Sequence, residues 1–202
     1  MSMSLRAAAK FVFRALATVA VSPALLVHAL KVPLLGKDRA LEGSTQLLAL
    51  VPGLTGQYLR QSFLSWTIRH CHPSASVGFG TIFSKTDAWI GENVYIGPYC
   101  SIGDVRIEKD TLIATGAHIL SGARMHGIAD VTTPIRLQPG EFTRVVIGED
   151  CWIGSGAVVM ADVGPHSVVA AGAVVTKPVP EWVIAGGVPA KVIRSRRDAV
   201  SE

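Results

Sequence analysis

Residues 89–121 read WIGENVYIGPYCSIGDVRIEKDTLIATGAHILS, and their spacing decides the fold. An aliphatic residue returns at about every sixth position, often followed by glycine: Ile90-Gly91, Ile96-Gly97, Ile102-Gly103, Ile107, Ile113-Ala114 and Ile119. The same beat resumes as Ile147-Gly148, Ile153-Gly154, Val159, Val163-Gly164 and Val169-Ala170. Four residues after most of these sits a small or compact side chain: Val94, Cys100, Thr111, Ala117, Cys151, Ala157, Ser167 and Ala173. A short fixed period is the mark of a β-helix, in which each repeat forms one flank of a coil. The expectation is an all-β core of parallel coils, with any chemistry added where the period breaks.

The composition agrees. A chain of 202 residues makes one large or two small folding units. With 49% apolar and 17% charged residues, a packed core is available and global disorder is excluded. The low aromatic content, 6%, suits a narrow coil filled by Ile, Val and Ala. A net charge of +4, dispersed along the chain, argues against nucleic acid as a partner. Of the three cysteines, Cys100 and Cys151 fall in the small inward slot of the repeat, and all three, with Cys71, read as buried reduced thiols.

Outward from the repeat, the chain divides into an apolar and helical region (1–74), the coil (75–194) and a solvated tail (195–202). Residues 1–36 are apolar with a basic start. Arg6, Lys10 and Arg14 share one face of a helix, with Leu5, Val12, Phe13, Leu16 and Val19 largely away from it. A cleaved signal peptide and a spanning helix both compete, but Pro23 and His28 interrupt the clean run of ~20 apolar residues that spanning needs. An amphipathic stretch lying on a membrane, or packed on the body of the protein, fits best. Ser44 can cap a short helix over 45–50, Val51-Pro52-Gly53 breaks it, and residues 54–66 then form a one-sided helix. A β-coil has an open greasy end, and this helical pair is the candidate cap.

The period breaks at residues 122–145, GARMHGIADVTTPIRLQPGEFTRV. A loop this long inside a compact repeat is usually functional. A second irregularity is the four-residue step from Val159 to Val163, which calls for a tightened corner.

Three stretches resemble the hexapeptide acyltransferases: Cys151-Trp152-Ile153-Gly154-Ser155, Ala170 to Lys177 (AAGAVVTK) and Ala185 to Arg194 (AGGVPAKVIR). The nearest branch is that of the galactoside, maltose and colanic-acid-type polysaccharide O-acetyltransferases, and the likeness covers about residues 75–194. It implies a left-handed coil, where the general rule for parallel crossovers favours the right hand. It also implies a homotrimer with active sites between subunits, acetyl-CoA as acyl donor, a saccharide acceptor and no metal. The compartment it implies is the cytoplasm, and the apolar start adds the inner face of the membrane and a lipid-linked acceptor.

Acetyl transfer to an alcohol needs a base at the hydroxyl, a donor for the developing oxyanion and a cradle for the thioester carrier. His126 is the one histidine in the break, and imidazole can accept a proton near neutrality. The resemblance makes it the general base. Through the same likeness Ser155 becomes the oxyanion donor, Trp152 the wall of the groove, and Ala171 a backbone donor to the pantetheine or thioester. Thr176 and Lys177 fall near the nucleotide of coenzyme A, and Lys191 and Arg194 match the phosphate-contacting basic pair. Galactoside-type enzymes carry an acceptor-binding asparagine where this chain has Tyr99, so acceptor recognition should differ. Asp130 reads as a solvated loop acid, and His70, His72, His118, His166, Arg196 and Arg197 as structural or surface residues.

Two other classes share the coil. A γ-carbonic-anhydrase type needs three histidines around zinc, commonly with two close together in one loop; here His118 and His126 are eight apart and nothing else converges on them. A non-catalytic β-helix scaffold would have no use for the loop histidine or the basic tail. N-acetylation of an amino sugar is the neighbouring alternative within the same chemistry.

Overall fold

The computed structural model describes residues 5–198, with side chains from residue 11 onward. The side chains of Leu5, Arg6 and Lys10, and tail residues 199–202, lie outside the described part. Three helices come first: α1 (Leu5–Leu35), α2 (Lys37–Ala49) and α3 (Gly53–Thr67). A parallel β-helix of about six turns follows, closed by a short antiparallel strand.

Each turn lays one short strand on each of three flanks. The first turn has β1 (His70–Cys71), β2 (Ser76–Val77) and β3 (Ile82–Phe83), and the second has β4 (Trp89–Ile90), β5 (Tyr95–Ile96) and β6 (Ser101–Ile102). The third has β7 (Val105–Ile107), β8 (Leu112–Ile113) and β9 (His118–Ile119). The fourth has β10 (Val145–Ile147), β11 (Trp152–Ile153) and β12 (Val158–Val159). In the fifth, Val163 bridges to Ile147 before β13 (Val168–Val169) and β14 (Val174–Val175). The sixth starts at Val179 and continues into β15 (Val183–Gly186), on which β16 (Lys191–Ser195) folds back. Flank I is β1-β4-β7-β10, flank II runs from β2 to β15 and ends on β16, and flank III runs from β3 to β14. The coil thus begins at residue 70, five residues before the start expected at 75, because β1 already pairs with β4.

The six-residue beat is the inward face. Ile90, Ile96, Ile102, Ile107, Ile113, Ile119, Ile147 and Ile153 are fully buried, each contributing on the order of 1.5–3 kcal/mol. The compact slots stack at two corners. Ala75, Val94, Thr111, Cys151 and Ser167 line the I/II corner, and Thr81, Cys100, Ala117, Ala157 and Ala173 the II/III corner. Polar members stitch successive turns: the Thr111 hydroxyl donates to Gly148 O (2.8 Å) and accepts from Cys151 N (3.2 Å). The Cys100 and Cys151 thiols lie 3.2 Å from the carbonyls of Ala114 and Gly164. Cys71 is buried too, and burial pushes its thiol up to about 12.

The glycine after the aliphatic residue has a steric cause. A Cβ on Gly154 would lie 2.4 Å from Ala171 N, so the next turn can stack there only over a bare backbone. The short step from Val159 to Val163 sits at the III/I corner and recurs from Val175 to Val179. That corner is the coil's variable joint, and the long break leaves from it as well.

The helices close the open end. Phe63, Leu64 and Leu41 are buried against Val77 and Phe83 of the first turn. Arg60, itself buried, donates to the carbonyls of Val77 (3.0 Å), Leu48 (3.1 Å) and Val51 (2.7 Å), tying the end of α2 and its link to α3 onto the first turn of the coil. Ser44 caps nothing: α2 starts at Lys37, and Ser44 is buried inside it, 3.2 Å from the His28 ring of α1. Residue 23 does not break α1 either. The amide that Pro23 lacks would have met Val19 O, and the Ser22 hydroxyl donates there instead, at 2.7 Å.

Candidate active site

The interruption, residues 122–144, leaves the III/I corner between β9 and β10 as a pinched excursion. Its legs are joined by Thr143 N to Ser121 O (2.9 Å) and Glu141 N to Arg124 O (2.8 Å), with an Arg124–Glu141 ion pair outside them. Arg144 roots the return leg through Asp104 (2.8 Å) and the carbonyl of Asp87 (3.2 Å). The tip holds itself. Asp130 accepts from the Thr132 amide and hydroxyl, and Gln138 bonds across to residues 130 and 133. Donors from Thr133 and Thr132 hold the Asp130 carboxyl well below the usual carboxylate range. Asp130 therefore organises the tip and does not touch His126.

His126 is exposed on the outgoing leg, where the two legs cross most closely. A Cβ on Gly140 would fall 1.9 Å from Met125 O and 2.9 Å from His126 N, and one on Gly127 2.5 Å from Pro139 O. These two glycines let the backbones meet and so fix where the imidazole leaves the chain. Both are visible in the sequence, but their role depends on legs 13 residues apart coming together, as Gly127 and Gly140 do.

The other expected residues lie on flank II and at its corner with flank III. The II/III corner stacks Tyr99, Gly116, Gly156 and Gly172, all with positive φ, turn upon turn. Gly156 N donates to Thr115 O (3.0 Å) and Gly172 N to Ser155 O (2.9 Å), so Thr115, Ser155 and Ala171 form one column, about 4.8 Å apart. Ser155 and Ala171 are exposed there. Thr115, one turn below Ser155, is exposed in the same column, and register counting would have found it. Tyr99 stands in the neighbouring column of Gly116, Gly156 and Gly172, two turns below Gly156, with its ring edge-on to Phe79 at 5.5 Å. Trp152 stands out from flank II, 54% exposed, between Leu112 and Val168. A 290 Å³ hollow beside it is lined by Asp110, Leu112, Asp150, Val168 and Arg196.

The segment between β15 and β16 wraps over the end of flank III. Gly187 O accepts from Val174 N (3.0 Å), and Ala190 N donates to Val174 O (2.8 Å). That wrap carries Lys191 to the same end of the coil as Ala171, and Arg194 lies further along β16 opposite Ile184. Thr176 and Lys177 are exposed at the III/I corner, on the side from which the excursion departs. The candidates thus fall into two sets within the chain. His126, Thr176 and Lys177 belong to one edge of flank III; Tyr99, Trp152, Ser155, Ala171, Lys191 and Arg194 lie at its other edge and on flank II.

His166 stacks on Trp182 at 4.2 Å and sits 3.1 Å from Asp150. Arg196 binds Asp150 (2.9 Å) and the His166 carbonyl (2.8 Å), clasping the tail to the coil, while Arg197 covers the Trp182 ring at 4.8 Å. His118 projects from flank III between Ser101 and Val158. Among the described residues no three His, Cys, Asp or Glu side chains converge as a metal site would need.

A family profile described as bacterial transferase hexapeptide (six repeats) matches residues 87–121 and 144–177, and the gap between the two matches is the excursion. A galactoside O-acetyltransferase of Escherichia coli (strain K12) is 30% identical over 173 residues, covering 72% of this chain and 82% of that protein. The chain belongs to the hexapeptide acetyltransferases. A putative lipopolysaccharide biosynthesis O-acetyltransferase, WbbJ, of the same organism is 33% identical over 124 residues, 58% of this chain and 62% of its own. The fold of this hexapeptide acetyltransferase is also that of a galactoside acetyltransferase solved in complex with coenzyme A. That likeness has a TM-score of 0.65 at 23% identity, over 85% of this chain and 86% of the other.

Proposed function

We propose that this acetyltransferase moves an acetyl group from acetyl-CoA to a hydroxyl of a saccharide, of the kind found in surface polysaccharides. His126 takes the proton of the acceptor hydroxyl as its oxygen attacks the thioester carbonyl. The Ser155 hydroxyl and the Ala171 amide bind the oxyanion. The tetrahedral adduct collapses by breaking the C–S bond, and the coenzyme A thiolate leaves with the proton returned from His126. Among the described residues no backbone carbonyl accepts from Ala171 N, which leaves that amide available to an incoming oxygen. Lys191, Arg194, Thr176 and Lys177 bind the phosphates and nucleotide end of the carrier.

The observation that carries this reading is the position of His126, on a glycine-pinched excursion that fills the gap in the family profile. The separation of the candidates onto two edges of flank III supports a homotrimer, in which His126 of one copy meets the Ser155 edge of another. The exposed apolar residues of the excursion, Ile128, Val131 and Phe142, suit burial between copies. The reading places the enzyme in the cytoplasm, where acetyl-CoA is made. The test is free-thiol release from acetyl-CoA with a panel of mono- and oligosaccharides, run on the wild type and on His126→Ala. Release that depends on both acceptor and His126 is expected. No release with any acceptor, or an unchanged rate in His126→Ala, would overturn the proposal.

A further inference from the structure

Helix α1 mixes polar and apolar side chains inward and is apolar outward. Its buried or half-buried side carries Arg14, Ala17, Thr18, Val21, Ala24, Leu25, His28 and Lys31. The Thr18 hydroxyl lies 3.0 Å from that of Ser62, and His28 bonds Ser44 and sits edge-on to Phe63 at 5.4 Å. The outward side presents Phe11, Val12, Leu16, Val19, Leu26 and Leu30, all about half exposed or more, and from residue 11 to 35 it bears no charged side chain. Its one hydroxyl, that of Ser22, is already bonded within the helix. A helix facing water turns polar side chains outward.

Beside this face the α1–α3 junction opens. An apolar slot of about 330 Å³ lies between Phe13, Leu16, Ala20, Leu54, Tyr58 and Leu59. It shares the walls Leu54 and Tyr58 with a smaller polar recess that holds Arg14, Gln57 and Gln61. Arg14 Nε is buried there and has no hydrogen-bond partner among the described residues. A buried guanidinium nitrogen without an acceptor is costly, and a phosphate oxygen is the acceptor it fits best. Charge points the same way: residues 1–74 hold eight Lys and Arg against two Asp and Glu, a balance of +6 in a chain whose total is +4.

We propose that the outward face of α1 lies in the plane of an anionic bilayer, and that the junction binds one membrane phospholipid, acyl chain in the slot and phosphate on Arg14. The side of α1 that packs on α2 and α3 is tied to them along its length, so the helix rests on the membrane rather than crossing it. The proposal deepens the functional reading by placing the transferase against the membrane surface, where an acceptor anchored in lipid would be presented.

The test is co-sedimentation of the full chain with vesicles of phosphatidylcholine alone and of phosphatidylcholine with 30% phosphatidylglycerol. Strong preference for the anionic vesicles is expected. Leu16→Glu with Val19→Glu, both at exposed positions, should lower binding at least tenfold, and Arg14→Gln about fivefold on the anionic vesicles alone. Thermal melting and thiol release with a soluble acceptor, unchanged in the double variant, keep this test separate from that of the transfer reaction. Three results would overturn the proposal. The chain could stay in the supernatant with both vesicles, or the outward face could prove buried in a dimer that the double variant dissociates. Inorganic phosphate could also stabilise the wild type through Arg14 without any vesicle binding.

Discussion

Replacing Gly140 by alanine separates the scaffold from the chemistry. Gly140 is not among the residues with positive φ, so alanine suits its backbone and the added methyl is the whole perturbation. That methyl would sit 1.9 Å from Met125 O, 2.4 Å from Met125 C and 2.9 Å from His126 N. A Cβ does not approach backbone closer than about 3 Å, so the outgoing leg must retreat by roughly 1 Å at His126. Displacing a catalytic group by ~1 Å can cost about 10²-fold in rate, or roughly 2.7 kcal/mol in the barrier. Global stability should hardly move, because the excursion lies outside the coil and its core. The expected result is kcat lowered about 100-fold in thiol release, with KM for acetyl-CoA within a few-fold of wild type and an unchanged melting temperature. Gly140→Ala at the wild-type rate, beside an inactive His126→Ala, would show that the pinch does not position the imidazole. Both at the wild-type rate would remove His126 from the mechanism.

Ser155→Ala should lower kcat by ~10²–10³ and leave the coil intact, as expected for the loss of one oxyanion donor; a change of less than threefold would make Ser155 a turn residue. Thr111→Val keeps the shape of a fully buried slot but leaves Gly148 O and Cys151 N unpaired. It should cost about 1–3 kcal/mol in chemical denaturation without altering kcat. The bond from His166, and next to it that from Arg196, holds the Asp150 carboxyl below its ordinary value. Its stabilisation is therefore present above the unfolded pKa, ~3.9, and is lost as the pH falls through the lower folded value. Asp150→Asn, which suits the left-handed backbone at this corner, should be less stable than the wild type at pH 7, with the difference shrinking below pH 4. A difference that stays constant from pH 7 to pH 3 would rule out the carboxylate as its source.

The register of the coil was legible because each inward position states its own requirement locally: an aliphatic residue to fill the bore, a compact one at the corner, and a glycine where the next turn rests. Gly154 under Ala171 is the clearest case. The hand of the coil was not, since a six-residue period serves either hand and the left hand came with the resemblance. Positive φ at Tyr99, His166 and Trp182 was equally hidden. None of these is a usual turn former, and the corner geometry is imposed by the turns stacked above and below. Ser44 shows the same override from another side: its type favours a cap, yet its hydroxyl is used by His28 from a different helix.

The candidate site divides along the same line. His126 could be found because it is alone in the break, but the residues proposed to act with it lie across flank III, and periodicity within one chain does not say how the two edges would be brought together. Helix α1 presents the sharper case. Its periodicity separates a side with Arg14, Thr18 and His28 from a side with Leu16, Val19 and Leu30, but a period carries no sign. Which side is buried is set by what α2 and α3 offer, and they offer hydroxyls and a ring to Thr18 and His28. The apolar side is then left outward, and that exposed face is what the proposed contact with a bilayer would cover.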